Sequence, residues 1–458
     1  MTQMVEIPLW LFVLILLFAA VTFASHFLFP SVRWFFRRRL EKAVSRLNER
    51  LTRPIEPFKL ARRYDMIQRL IYDPEVTREI VSYAKSNNVP ENVAFEKARQ
   101  YAREIVPGFS AFTYFGLGTR MARMLVNSIY EVRTGVGTGS DSVIRQIPKD
   151  ATIVFIMNHR SNMDYVLVTY LAAPMSALSY AVGEWARFWP LSILIRMMGA
   201  YFIRRRSRGA LYRKVLARYV QMATAGGVAQ GIFPEGGLSL TGRLMPPKLG
   251  LLSYLVEGYE HDGRDVVFVP VAINYDRVLE DRVLVAAAKR GDRRFGARIT
   301  VVTGFILRKF WQALRGRYVR FGTAAVAVGK PLSLREFGAD APLERLGGVL
   351  MERIEEAMPV LIVPLLSHHL LVSPDPVSEE CLIQLVADEV ATLGTHMPQL
   401  SPSELEVETR EGLQRMKRHG AIQETNGGWS IVENERSLVE FYANSVVHRF
   451  EVERAVAE

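Results

Sequence analysis

The chain has 458 residues, 49% hydrophobic and 23% charged, with a formal net charge of +11 and a mean hydropathy of +0.08. That length supports a large core and two or three domains, and the hydropathy lies far below that of a polytopic membrane protein. The basic surplus calls for an anionic partner, whether nucleic acid, anionic lipid or a phosphorylated substrate. The single cysteine, Cys381, excludes an internal disulfide, and one Cys with eight scattered His gives no zinc-ligand spacing, so no metal is expected.

Residues 7–29 are an apolar run without Lys, Arg, Asp or Glu. As a helix it would be about 35 Å long, enough to cross a hydrocarbon core of about 30 Å. No basic residue precedes it, unlike a secretory signal. Arg33, Arg37, Arg38, Arg39, Lys42, Arg46, Arg50 and Arg53 follow, against Glu41 and Glu49. The positive-inside rule then predicts one transmembrane helix in the cell's inner membrane with the body on the cytoplasmic side. Trp34, Phe35 and Phe36 beside these charges suit a headgroup surface. A monotopic hairpin or a buried helix fits the same run.

Residues 40–133 read as helical throughout, punctuated by Pro54, Pro57 and Pro90, and carry no evident chemistry. GVGTGSDS, residues 135–142, reads as a linker. Beyond it the pattern changes to α/β. Ile153, Val154, Phe155, Ile156 and Met157 predict a buried strand, and Asn158, His159, Arg160, Ser161, Asn162 and Asp164 follow at once. This places His159 at the carboxyl edge of a sheet, where α/β folds bind ligands. His and Asp five apart meet if the turn tightens into a helix, and the Asp then holds one imidazole nitrogen while the other takes a proton from a substrate hydroxyl.

Three more strand ends carry polar clusters. Residues 177–182 read as a strand and 185–198 as an apolar, aromatic helix; residues 200–203 then end in Arg204, Arg205 and Arg206, suited to a phosphate dianion or to a solvated basic face. After a helix at 211–225, the strand 231–233 leads into Glu235, Gly236 and Gly237, with Ser239, Thr241, Arg243 and Lys248 beyond; this glycine-rich turn can form an anion nest or be only a turn. The strand 266–273 contains Pro270, which argues for an edge or a bulge, and ends in Asn274, Tyr275, Asp276 and Arg277. Gathering at one sheet edge accounts for all four clusters together.

In these residues the chain resembles the glycerolipid acyltransferases, and within them the glycerol-3-phosphate branch of the large bacterial membrane type. The resemblance rests on NHRSNMD at 158–164, GAYFIRR at 199–205, FPEGGLSLTGR at 233–243 and VPVAINYDR at 269–277, in order, and more loosely on residues 360–458 ending in FYANSVVHRF. It departs where the family carries Arg on both sides of the third-motif serine, since Leu238 and Leu240 stand there. The resemblance implies an α/β fold, a mixed sheet flanked by helices, with helical N- and C-terminal regions. It implies domains at 1–32 (anchor), 33–134 (helical, membrane-proximal), 143–340 (acyltransferase) and 341–458 (helical). It implies His159 as general base oriented by Asp164, acting on the sn-1 hydroxyl of glycerol 3-phosphate, with long-chain acyl-CoA or acyl-carrier protein as donor and no cofactor. Arg160, Ser161, Phe202, Ile203, Arg204, Arg205, Glu235, Gly236, Ser239, Arg243, Lys248 and Pro270 are the implied substrate-binding residues. Glu235 would brace the loop or meet a glycerol hydroxyl, and Pro270 would shape the acyl pocket. The phospholipid membrane is the expected partner.

After the fourth motif a charged stretch, 287–296, and a basic aromatic segment, 307–320, precede a closing strand at 323–328. His368 and His369 lie in an apolar helical run, suiting core or interface roles. Residues 401–432, a helix and turn followed by GGWSIV, hint at a small winged-helix-like unit, but no nucleic acid is expected as a partner. Two rival readings are an acyltransferase acting on dihydroxyacetone phosphate or lysophosphatidate, kept open by Leu238 and Leu240, and a catalytically silent lipid-binding scaffold.

Overall fold

The computed structural model describes residues 8–134, 140–183, 191–204, 209–291, 320–397 and 400–450. The chain divides into two compact units, Met1–Pro54 and Ile55–Glu458. The first unit is one helix, Leu9–Asn48. Its large apolar side chains from Leu9 to Phe18 are all exposed, while the side chains of 20–37 lie outside the described set. Among the described residues, no helix is long and apolar enough to cross a membrane. The expected span at 7–29 therefore has a continuous helix from Leu9 onward but lacks a membrane-spanning stretch among those residues.

The second unit is built on one mixed sheet. Its strands are β1 (Glu131–Thr134), β2 (Thr152–Met157), β3 (Ser179–Val182), β4 (Tyr201–Phe202), β5 (Gln230–Ile232), β6 (Val266–Tyr275), β7 (Thr323–Val328) and β8 (Leu332–Ser333). The order is β1-β7-β6-β2-β5-β3-β4, with β8 also on β6. β6, β2, β5, β3 and β4 run parallel, whereas β7 and β8 pair antiparallel to β6. A β-branched, fully buried run such as Thr152–Met157 makes a central parallel strand because both faces are covered. Ile153, Phe155 and Met157 join one apolar cluster, and Val154 and Ile156 join another on the opposite face. The chain leaves β2 through the helix Met163–Ala172 toward β3, and later returns from β5 through Gly250–Glu257 to β6 on the other side of β2. The carboxyl end of β2 thus lies between those of β5 and β6, where the strand order switches.

Several local expectations need correction. The helical reading of 40–133 misses β1, a four-residue strand parallel to β7 that its length hides from periodicity. The linker expected at 135–142 already turns helical at Ser140, in the helix Ser140–Gln146, and 135–139 lie outside the described residues. Of the helix expected at 185–198, the described part is Leu191–Met197. The segments 292–296 and 307–319 also lie outside the described residues. Pro270 stands in a central strand, not at an edge. It sits where the neighbour of β6 changes from β8, at Val267 and Phe268, to β7, starting at Val271, so its missing N–H falls between two ladders.

Toward its end the chain forms the helices Leu343–Glu356, Ile362–Val372, Glu379–Leu393 and Pro402–His419, then the hairpin β9 (Ile422–Thr425) and β10 (Gly428–Ile431), and the helix Arg436–Ala443. The Pro402–His419 helix begins with a Ser401–Glu404 capping box and ends at Gly420 in the left-handed region.

Candidate active site

The β2 strand ends in Asn158, whose side chain donates to the Ile273 carbonyl at 2.9 Å and accepts from its amide at 2.7 Å. This ties the turn to β6 before the chemistry begins. His159 and Asp164 are both buried, with imidazole Nδ1 2.9 Å from Asp164 Oδ2. The same carboxylate oxygen accepts the Arg160 amide at 2.7 Å and the Ser161 amide at 3.0 Å, because Asp164 lies in the first turn of the Met163–Ala172 helix. Its other oxygen accepts from the Tyr275 hydroxyl at 2.6 Å. A carboxylate so surrounded orients the ring and favours the tautomer with Nδ1 protonated, leaving Nε2 basic. Phe233 lies against the imidazole at 4.3 Å between centroids, and Tyr165 meets it edge-on at 5.3 Å.

The glycine-rich loop closes over this turn. Glu235 is buried, and its two oxygens accept the His159 amide at 2.7 Å and the Met245 amide at 3.1 Å. Burial lifts its carboxyl to about 7 even against those bonds and the nearby Arg160. Ser239 donates its amide to the His159 carbonyl at 2.9 Å. Its hydroxyl donates to the Arg243 carbonyl at 2.7 Å and accepts the Gly242 amide at 3.0 Å, so it braces the loop. Arg160 is buried and donates to the Gly242 carbonyl at 2.6 Å, and burial pulls its guanidinium down to about 10. Gly236 has φ +65, and a Cβ there would lie 2.7 Å from Lys248 Cδ. The Lys248 amide in turn donates to the Pro234 carbonyl at 2.7 Å. Leu238 and Leu240 are partly buried against the apolar cluster that contains Tyr165.

The remaining expected residues spread along the same sheet edge. Phe202 is fully buried in β4, and Ile203 packs against the cluster on the other face. Arg204 forks onto Glu104, with Nη2 2.6 Å and Nε 3.0 Å from its oxygens, and lies over Tyr101 and Tyr212. Arg205 and Arg206 lie outside the described residues. Pro270 pairs in register with Ile156, and its carbonyl accepts the Gly329 amide. Among the described residues no His, Cys, Asp and Glu group could hold a metal ion.

Sequence reasoning missed three side chains that hold the site. Tyr275 was visible only as one polar residue at a strand end, although its alternation in β6 shares a face with Ile273. Glu280, lifted by burial, accepts the Ser161 hydroxyl at 2.8 Å and the Asn162 side chain at 3.0 Å across about 120 residues of sequence. Asn444 donates to the Thr241 carbonyl at 2.8 Å and accepts Arg243 Nε at 3.3 Å, while a Cβ on Gly242 (φ +86) would overlap the Phe441 carbonyl. No local signal could have found the last two.

Residues 142–274 match the Acyltransferase model, and 309–457 match the model of the glycerol-3-phosphate acyltransferase C-terminal region. The glycerol-3-phosphate acyltransferase of Shewanella sp. (strain MR-7) is 29% identical over 444 residues, covering 89% of this chain and 52% of the relative. That of Shewanella amazonensis (strain ATCC BAA-1098 / SB2B) is 30% identical with the same coverage. The chain thus spans about half the length of the curated relatives it matches. The crystal structure of the 1-acyl-sn-glycerophosphate acyltransferase from Thermotoga maritima aligns at a TM-score of 0.33 and 17% identity, covering 61% of this chain and 94% of that one, a likeness too slight to bear on the fold. The chain thus carries a stretch that matches the acyltransferase model, followed by one that matches the C-terminal region of glycerol-3-phosphate acyltransferases.

Proposed function

We propose that the protein transfers a long-chain acyl group from acyl-CoA or acyl-carrier protein to the sn-1 hydroxyl of glycerol 3-phosphate, giving lysophosphatidate. The observation that carries this reading is the buried His159–Asp164 pair at the carboxyl end of a central parallel strand, its carboxylate also fixed by Tyr275. His159 Nε2 takes the hydroxyl proton as the oxygen attacks the thioester carbonyl. The C–O bond forms, the C–S bond breaks, and the proton passes to the departing thiolate. The names of the Shewanella relatives support glycerol 3-phosphate as acceptor. Arg160 and Arg243 bring positive charge to the turn and the loop for its phosphate, and Arg204 joins them if the phosphate displaces Glu104. We place the protein on the cytoplasmic face of the membrane, anchored by the helix Leu9–Asn48; its exposed apolar side chains from Leu9 to Phe18 and the basic residues that follow support this.

The test is acyl transfer from palmitoyl-CoA to radiolabelled glycerol 3-phosphate by wild type and His159→Ala. Label in lysophosphatidate with wild type only supports the reading. The packing of Leu238 and Leu240 against the apolar cluster, where the resemblance leads to the expectation of arginines, favours a second acceptor as the alternative. Acylation of dihydroxyacetone phosphate or lysophosphatidate, but not glycerol 3-phosphate, would establish that alternative.

A further inference from the structure

The last carbonyls of the helix Glu91–Ile105 have no helical partner, and one guanidinium is enough to cap such an end. Three gather there instead. The Arg103 carbonyl accepts from both Arg63 Nη2 and Arg196 Nη1, the second at 3.2 Å. Arg63 Nε also donates to the Val106 carbonyl at 2.9 Å, and Arg103 itself is exposed at the same turn. Like charges so placed repel. Burial, together with the Arg103 charge, draws the Arg63 guanidinium down from its usual value. The acid of this turn, Glu104, is committed to Arg204, which forks onto it at 2.6 and 3.0 Å. Neither Arg63 nor Arg103 has an acidic partner among the described residues.

The cluster has a defined place relative to His159. Arg196 lies over the Phe202 ring at 5.0 Å, which sets the guanidinium groups against β4, three places from β2 in the sheet. At about 4.8 Å between strands, that is roughly 14 Å from the strand that leads into His159. Tyr64, next to Arg63, is 64% exposed and leaves its ring open beside the charges. A ligand that reacts at His159 and is held by charge so far away must join its reacting group to its anionic groups by a long arm. An acyl-CoA is built this way, with the thioester at one end of the pantetheine arm and a diphosphate, a 3′-phosphate and an adenine at the other. Guanidinium forks converging on one carbonyl match closely grouped phosphates better than carboxylates spread over a protein surface. An exposed aromatic ring gives the base a surface to stack on.

We propose that Arg63, Arg103 and Arg196 hold the phosphates of the coenzyme A part of the acyl donor, with Tyr64 beside its adenine. This rests on the acyl transfer proposed above and assigns the donor an anchoring site apart from the His159 turn and the glycine-rich loop. It does not depend on which acceptor the enzyme uses.

The test uses the full chain in detergent and the variant Arg103→Glu. The carbonyl of Arg103, not its side chain, serves the helix end, so the variant should melt with the wild type. Binding of coenzyme A, followed by calorimetry without acceptor, should weaken about tenfold in Arg103→Glu, and Arg103→Lys should recover part of the loss. 3′-Dephospho-coenzyme A should bind the wild type more weakly and respond less to the substitution. In turnover, the KM for palmitoyl-CoA should rise by a similar factor, with kcat and the KM for the acceptor little changed. His159→Ala should bind coenzyme A as the wild type does. Loss of all turnover with this binding pattern intact would therefore count against the proposed reaction and not against this site. Equal coenzyme A binding by wild type and Arg103→Glu, or none by either, would overturn the proposal and leave the cluster a helix cap on a solvated basic face. A raised KM for palmitoyl-acyl-carrier protein alone would overturn it in favour of that acidic partner.

Discussion

Two carboxylates in this molecule are each held by one histidine ring and one tyrosine hydroxyl. Asp164 takes His159 Nδ1 on one oxygen and the Tyr275 hydroxyl on the other. Asp281 takes both His419 Nε2, at 2.7 Å, and the Tyr442 hydroxyl on one oxygen, and the Arg282 amide on the other. The groups are the same but the ring atom differs. His159 meets its partner within one tight turn through Nδ1, so Nε2 points away along the ring axis. His419 spends Nε2 on its carboxylate and is the last residue of its own helix. Burial pushes Asp281 up, yet the bond and charge from His419 and the Tyr442 bond hold it below the usual carboxylate range. In the proposed reaction the first arrangement supplies the base, whereas the second links the C-terminal region, through His419 and Tyr442, to the helix Asp281–Arg290. The carboxylate meets Nδ1 in the first pair and Nε2 in the second.

The largest way to test this contrast is Asp164→Asn. It should leave the thermal midpoint nearly unchanged and lower kcat by on the order of a thousandfold or more, because the amide favours the wrong tautomer. Tyr275→Phe removes one bond to the same carboxylate, a loss of about 1.5–3 kcal/mol in buried surroundings. It should lower kcat roughly tenfold to a hundredfold, with the KM for the acceptor little changed. Asp281→Ala should act in the opposite sense. Leaving His419 and Tyr442 without their partner should cost about 3 kcal/mol of stability in denaturant titrations. Turnover of the folded protein should then stay within a few-fold of wild type. If Asp281→Ala abolished turnover while the protein remained folded, the second constellation would be part of the reaction and the contrast would fail.

Sequence patterning reached the His159–Asp164 pair, though not Tyr275, because that pair is local. A β-branched run followed at once by HRSNMD is legible as a strand, a turn and a helix start, and the five-residue spacing of His159 and Asp164 is a property of that turn. Glycine and proline likewise mark the loop after β5 and the partner change in β6. What stayed hidden is long-range. Glu280 reaches back to Ser161 across 119 residues, His419 to Asp281 across 138, and Asn444 to Arg243 across 201. Such pairings follow from how helices pack on the sheet, and no period in one sequence encodes them. Arg204 shows the converse: its place after a strand was legible, but its fork onto Glu104, on a helix a hundred residues earlier, was not. β1 escaped for a simpler reason, since four residues are too few to establish alternation.

The smallest expected effect concerns Glu235, which links the His159 turn to the glycine-rich loop through two backbone amides. Its carboxyl titrates near 7 in the folded protein because burial outweighs those bonds and the Arg160 charge. An unfolded glutamate titrates at about 4.3. Between these values the folded state holds a proton that the unfolded state has released, so this group's contribution to stability falls as pH rises through that window and levels off above about 7. Glu235→Gln removes that dependence while keeping one acceptor oxygen. Melting temperatures at pH 5, 6 and 7 should therefore fall less steeply for the variant than for wild type, by no more than a few degrees across the range. Burial also raises Glu280 and Asp276, and these add slopes of the same sign, so the difference between the two proteins isolates Glu235. Parallel profiles would mean that Glu235 is ionised throughout, its charge sustained by the His159 and Met245 amides. The loop would then be fastened to the His159 turn by a carboxylate rather than by a neutral acid.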